Sequence, residues 1–497
     1  MSFQIIKKLG SGSYGTVYHV KNIHDDNEYA LKVIRPIRDV KNIYNLTHFK
    51  ELDILKRIDH PNILNCIDFY FKDPTVNQQI SNDDLNIYLL LPLAKNSIYG
   101  ELADNGLFRW ETAVRLMYEM LSAIKILSDN RIFHLDLKLD NILLYGDNRD
   151  NYTCKISDFG QACYTNQLKC KVYDIAVYAI YYRAPEIFNV YDPVSNKYYF
   201  LNTANLSDNP NLELLVPSHL SGHDVSIKSV IFALGVVFYE IIAGTTFIPG
   251  ENIIKRYLEM YNNPIEFDNI LSKITNVEAR NLIRKMVEWN PANRPSLEDI
   301  IADSLFINHG YTQIIPGREK WDYLPRQKSI SLISYHMKGK ILNYLKKIAG
   351  FTIMSSEALF LGLSIYYRIN IVEYKYEEAT IVISILLAQG LIDVSDRSEI
   401  YERILMSLYE HLPIKEIIKM IIKQLDGVLY IRNLYTEAWS LWSLVKMYPY
   451  TDVPDGFSGD PRDLATKIAK IEPPIERENR QSKDITFIEL LNEIRKH

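Results

Sequence analysis

Residues 229–248 read SVIFALGVVFYEIIAGTTFI, a run whose one charge is Glu240. A helix that is apolar on every side has to be buried, in lipid or at the centre of a large protein lobe. The run is nearly long enough to cross a bilayer, but the glutamate near its middle favours the soluble alternative. Such a helix needs a large core around it. A chain of 497 residues, 47% hydrophobic and 24% charged, has room for two to four domains. The net charge of −5 points away from nucleic acid or an acidic membrane as the main partner. Four cysteines without CxxC spacing suit a reducing, intracellular compartment, cytoplasmic or nuclear. The start, MSFQIIKKLG, lacks the apolar stretch of a secretory signal.

Residues 1–94 alternate short β-rich runs with turns and hold one helical segment, FKELDILKRI (49–58). Its Leu52, Leu55 and Ile58 fall on one face. Residues 95–308 read as mostly helical, interrupted by a polar stretch (190–222) expected as a surface insertion. Residues 309–330 read as a linker. Residues 331–497 return to helical periodicity, with amphipathic or apolar segments at 336–348, 355–370, 377–392 and 398–412.

Within this frame lies a set of groups suited to phosphate. LGSGSYGTVYHV places Gly10, Gly12, Gly15 and Val17 in a G-x-G-x-x-G-x-V pattern. Such a hairpin can lie close over a triphosphate and offer it backbone N–H groups. YALKVI follows, with Lys32 inside an apolar strand. A buried ammonium needs an anionic partner. Glu51 on the 49–58 helix is the candidate, leaving Lys32 to reach α/β-phosphates. HLDLKLDN (134–141) supplies Asp136 to orient a substrate hydroxyl, Lys138 to neutralise the transferring group and Asn141 to hold a metal ion. SDFG supplies Asp158 as the second metal ligand. Mg²⁺ takes oxygen ligands and usually only one or two from protein. Glu186 of YRAPE and Arg294 of NPANRP are read as a buried ion pair.

Taken together and in this order, these motifs resemble eukaryotic-type protein kinases over residues 1–308. Lys138 resembles the Ser/Thr-directed branch. GSGSYGTVY, YYRAPE and FIPGENIIKRYLEM resemble the cyclin-dependent kinases. The resemblance implies an α+β bilobal fold: a β-rich N-lobe (1–94), a helical C-lobe (95–308), then an all-α domain. It implies ATP and Mg²⁺ as cofactors and a protein substrate. It adds Ala30 and Ala94 to the ATP-binding residues, Ala94 on a hinge at Leu91–Ala94. The activity implied is transfer of the ATP γ-phosphoryl group to protein hydroxyls. The competing reading is a pseudokinase scaffold that binds without transfer.

Three residues depart from the family pattern. Leu135 stands where an Arg receives the phosphorylated activation segment, and Asp174 stands at the phosphorylated position itself. The two changes agree, and imply a kinase not switched by loop phosphorylation. Ala179 replaces a Thr that bridges the catalytic Asp and Lys, and Val230 replaces an Asp that holds the catalytic loop. One lost charged hydrogen bond costs about 1.5–3 kcal/mol, or roughly 10- to 150-fold in rate. Ser13 and Tyr14 align with inhibitory phosphosites of cyclin-dependent kinases, where added phosphate would repel ATP.

The first three C-terminal segments resemble a cyclin box. Met337 and Lys338 match its opening, Tyr344 and Leu345 its Trp-Leu, and EALFLGL its second helix. Gly390 and Tyr367 depart from it. This resemblance implies an intramolecular contact between the C-terminal domain and the N-lobe, with the bundle holding the Glu51 helix inward. A bundle that recruits a protein target is the alternative.

Overall fold

The computed structural model describes residues 2–12, 15–34, 49–80, 86–164, 169–170, 179–192, 197–200, 225–248, 260 and 263–319, and, further on, 358, 361–362, 365–366, 369, 377–392 and 412–430. Ser13, Tyr14, Asp174, Met337, Lys338, Tyr344, Leu345 and Tyr367 lie outside them, as do the segment 336–348 and most of 190–222, 355–370 and 398–412. The chain forms two units. Unit 1 comprises Met1–Arg57, Cys66–Leu90 and Lys320–His497, and unit 2 comprises Ile58–Asn65 and Leu91–Glu319.

In unit 1, β1 (Phe3–Gly12) and β2 (Gly15–Asn22) form an antiparallel hairpin closed at Gly12 opposite Gly15. β3 (Glu28–Ile34) continues the sheet. With β5 (Asp68–Tyr70) and β6 (Ile87–Pro92) the strand order is β1-β2-β3-β6-β5. Phe3, Val20, Leu31, Val33, Tyr88 and Leu90 pack on one face as its core. β3 is buried on both faces from Ala30 to Ile34, which takes Lys32 into the interior. Helix α1 (Phe49–Arg57) departs from its sequence pattern. Periodicity predicts one buried face, yet all nine residues are buried, five of them charged.

Unit 1 also holds the described C-terminal helices, here α7 (Glu377–Ile392) and α8 (Ile414–Gln424). Ala379 and Ile381–Ala388 of α7 are buried, as an all-round apolar segment requires. α8 is amphipathic and buries Ile414, Ile417, Ile418, Ile421 and Ile422 at helical spacing.

Unit 2 begins with β4 (Ile58–Asp59) and is mainly helical. Its first helices are α2 (Ile98–Asn105) and α3 (Trp110–Asp129). A small sheet of β7 (Asn96–Ser97), β9 (Ile142–Tyr145) and β10 (Thr153–Ile156), and the pair β8 (Ile132–Phe133) with β11 (Cys163–Tyr164), flank the loop 134–141. The apolar run becomes α4 (Ile227–Ala243), with the Ser226 hydroxyl accepting from Lys228 N–H at its start and Gly244 left-handed at its end. Twelve of its residues are buried. Among the described residues no helix is long and apolar enough to cross a membrane. α5 (Pro264–Leu271) and α6 (Val277–Met286) follow. The Arg294 guanidinium forks onto Glu186 at 2.7 and 2.8 Å, both residues buried, and Ser229 donates to the same carboxylate at 2.8 Å.

The first part of the stretch read as linker is packed chain. Tyr311 stacks on Tyr118 of α3 with ring centres 4.8 Å apart, and the His60 ring bonds the Ile315 carbonyl at 3.0 Å. Arg318 and Glu319 then pair antiparallel with Asp59 and Ile58 of β4. The aromatic and apolar side chains of this polar-looking segment find seats on α3, which outweighs its Gly and Pro content.

Glu240 of α4 is buried, accepting from Tyr182 O–H at 2.6 Å and from Phe247 N–H at 3.3 Å. Burial pushes its carboxyl up to about 6, against the hydrogen bonds that pull it down. The folded chain therefore holds this proton more tightly than the unfolded one, whose carboxyl has its ordinary value of 4.5. Stability from this group is present at pH 4.5 and is lost as pH rises through 6, by about 2 kcal/mol in all. In Glu240→Gln that loss should vanish. Denaturant unfolding at pH 4.5 and 7 should show the variant gaining about 2 kcal/mol on the parent between the two.

Candidate active site

The residues that the sequence suggests for phosphate fall into two groups, one in each unit. In unit 1, Lys32 Nζ donates to both oxygens of Glu51 at 2.6 and 2.8 Å. Lys32 is 8% and Glu51 2% exposed, so this is a core ion pair rather than a surface one. β3 supplies the lysine because its inward positions are otherwise apolar. α1 supplies the glutamate from its first turn, where the helix dipole favours a carboxylate. Val17 lies opposite both Gly10 and Lys32 in the ladder, and Ala30 lies opposite His19. Gly15 is required by a close approach: a Cβ there would stand 2.2 Å from the Val33 carbonyl oxygen. Around Gly10 and Gly12 nothing among the described residues lies within 4 Å of an added Cβ, so their packing does not demand glycine there.

In unit 2 the loop 134–141 gathers its polar groups around Asp136. Lys138 Nζ donates to Asp136 Oδ2 at 2.9 Å, and Asn141 Nδ2 donates to the same oxygen at 2.9 Å and to the Asp136 carbonyl at 2.8 Å. Asp136 is 5% exposed, while the Lys138 side chain keeps 30% exposure. His134, fully buried, is pushed down by desolvation and stays neutral. Its Nε2–H donates to the Ser157 carbonyl at 2.9 Å, which leaves Nδ1 to accept from Asp136 N–H at 3.3 Å. One buried ring thus ties the Asp136 backbone to the residue before Asp158. Ser157 returns two bonds to the Asn141 carbonyl, from N–H and Oγ, each 2.9 Å. Asp158 sits in a left-handed turn at φ 62°. Ala94 follows β6 and is half-buried.

The donor set fits Mg²⁺. Both amide protons of Asn141 are committed to Asp136, so its amide oxygen is the group that would ligate. With the Asp158 carboxylate this makes two hard oxygen donors, the usual protein share for that ion.

Reading the sequence position by position missed one grouping. Leu135, Ala179 and Val230, far apart in the chain, line a single hollow with Leu137, Tyr182 and Ala184 among its other walls. Leu135 is 6% exposed and adopts φ 60°, a left-handed conformation that costs a bulky residue about 1–2 kcal/mol. Arg183 and Ser229 line the same hollow, so its wall is mostly but not wholly apolar.

Residues 3–199 match the family model of the protein kinase domain. Among curated proteins the chain is 26% identical over 302 residues to calcium-dependent protein kinase 4 of Plasmodium berghei, covering 60% of this chain and 48% of the relative. It is 25% identical over 308 residues to CBL-interacting protein kinase 10 of Oryza sativa subsp. japonica, covering 61% and 56%. With a probable cyclin-dependent kinase 8 of Dictyostelium discoideum it shares 25% over 330 residues, 62% and 80%. The chain spans about half the length of the first two. The kinase-domain match takes in the glycine hairpin, Lys32, Glu51, the loop 134–141 and Asp158.

Removing one partner of the buried pair strands the other. Lys32→Met should lower stability by up to about 3–5 kcal/mol, because the buried Glu51 carboxylate loses the ammonium that donates to both its oxygens. The double variant Lys32→Met, Glu51→Met should recover most of that loss, as read from urea unfolding midpoints.

Proposed function

We propose that this chain is an ATP- and Mg²⁺-dependent Ser/Thr protein kinase that works without phosphate on its activation segment. The observation that carries the reading is the bonded set Asp136, Lys138 and Asn141 within unit 2; the Lys32–Glu51 pair within unit 1 supports it. Phosphoryl transfer consists mainly of positioning and charge stabilisation. Here Asp136 accepts or orients the proton of a substrate hydroxyl, and Lys138, now on Asp136, moves to the transferred group. Lys32, aligned by Glu51, takes the α/β-phosphates, and the glycine hairpin with Gly10, Gly12 and Gly15 covers them. Mg²⁺, held by Asn141 and Asp158, would neutralise phosphate charge. Ala30 and Ala94 flank the adenine.

Independence from loop phosphorylation is supported by the hollow. An Arg to receive a phosphate is absent at Leu135, which keeps a left-handed turn and lines one hollow with Val230 and Ala179. The same hollow favours a second reading, a scaffold that has lost catalytic polish and only binds nucleotide or protein. The metal-ligand residues and the bonded Asp136 weigh against it. A protein substrate, an intracellular setting and an N-lobe regulated by the chain's own C-terminal helices, with their cyclin-box resemblance, complete the proposal.

A γ-phosphate transfer assay tests it. Wild type should label a protein substrate, Asp158→Asn should fall to background, and phosphatase treatment should leave the wild-type rate unchanged. Equal background from wild type and Asp158→Asn would favour the scaffold. Leu135→Arg should lose stability without gaining activity, because it buries a second guanidinium in the hollow that Arg183 already lines.

A further inference from the structure

Helix α1 presents a physical problem that the Lys32–Glu51 pair does not solve. Successive helical residues turn by about 100°, so Glu51 and Asp53 point to nearly opposite sides, roughly 200° apart. Asp53 shares its side with Lys56 and Arg57, three and four residues on. By sequence that side should face water, yet Asp53 and Arg57 are 0% exposed and Lys56 is 9% exposed.

Residues 426–430, directly after α8, cover it. Asp53 Oδ1 accepts two successive backbone N–H groups, from Leu429 at 2.6 Å and Tyr430 at 2.7 Å. The other oxygen, Oδ2, takes Arg57 Nε at 3.4 Å. The Arg57 guanidinium lies over the Tyr430 ring, 4.9 Å from its centre, and Lys56 Nζ reaches Asp426 at 3.1 Å. Gly427, at φ +76°, fits against Leu52: a Cβ there would lie 3.0 Å from Leu52 Cγ. A carboxylate that accepts paired backbone N–H groups reads main chain rather than side chains, so the contact specifies a chain path.

We propose that residues 426–430 act as a latch on α1, and that Asp53 is a positioning residue which keeps Glu51 on Lys32. The latch clamps the helix from the side opposite the ion pair. A helix so held cannot rotate Glu51 away without drawing buried Asp53 off its two N–H donors. The kinase reading enters only through the transfer measurement below.

The test uses the full chain and substitutions on both sides of the contact. Gly427→Val pushes the segment off Leu52 and leaves α1 untouched, while Asp53→Ala removes the acceptor. Each should speed hydrogen exchange of the α1 amides by on the order of tenfold and leave α4 unchanged. Each should also lower phosphoryl transfer roughly tenfold, the loss of about one charge-assisted bond. Asp53→Asn keeps an oxygen for Leu429 and Tyr430 and should recover part of both effects. In a Glu51→Gln background, Gly427→Val should cost no further activity, because the latch acts through that glutamate. Wild-type exchange at α1 in both variants, or losses that add in the Glu51→Gln background, would overturn the latch. Should wild type transfer no more phosphate than Asp158→Asn, the kinase reading fails, and the exchange measurement still decides whether the segment holds α1.

Discussion

An ammonium group carried into the middle of a sheet cannot stay there alone. Lys32 lies on a strand of unit 1 that is buried on both faces for five residues running. Desolvation of that charge is costly, and a carboxylate within hydrogen-bond reach is what makes the position tenable. Glu51 therefore fixes more than an ion pair, since it sets the rotation of α1 about its own axis. Once that rotation is set, Asp53, Lys56 and Arg57 are committed to the far side. The need for something polar and well fitted over them follows from helix geometry.

Unit 2 meets the matching demand by different means. Its Asp136 is held by neutral groups, a buried imidazole on the backbone N–H and an amide on the carboxylate, together with one lysine that retains access to water. Behind the loop, in a hollow that Arg183 also lines, the chain has leucine, alanine and valine at positions 135, 179 and 230. Apolar packing is indifferent to salt and needs no modification to assemble. It is also less directional than hydrogen bonds, which fits a turn defined by one backbone conformation at Leu135 rather than by several partners.

Much of this was readable from the residues, for a reason of scale. The glycine hairpin, the strand of Lys32 and the loop 134–141 are each specified within about a dozen neighbouring positions, so local spacing carries them. The Glu51 partner was legible because burying a lysine limits the choices. The apolar run of α4 gave its own burial, and its serine cap gave its start. What did not show were contacts between distant positions. Nothing in FKELDILKR says that its charged side will be covered, because the cover comes from Leu429 and Tyr430, 376 and 377 positions later. Leu135, Ala179 and Val230 looked like three separate departures until the fold placed them in one hollow. The Gly and Pro of residues 309–319 suggested a loose connection, and the weight of Tyr311 and Ile315 was underestimated.

The placement of the thiols has a practical consequence. Cys66 is buried in unit 1, and desolvation pushes it up to about 12; Cys154, in unit 2, is likewise raised well above its ordinary value. A thiol that is neither ionised nor accessible is inert to alkylation. Each unit thus contains a native clock, silent while closed and marked irreversibly once opened, and mapping the modified cysteine would tell which of the two had breathed.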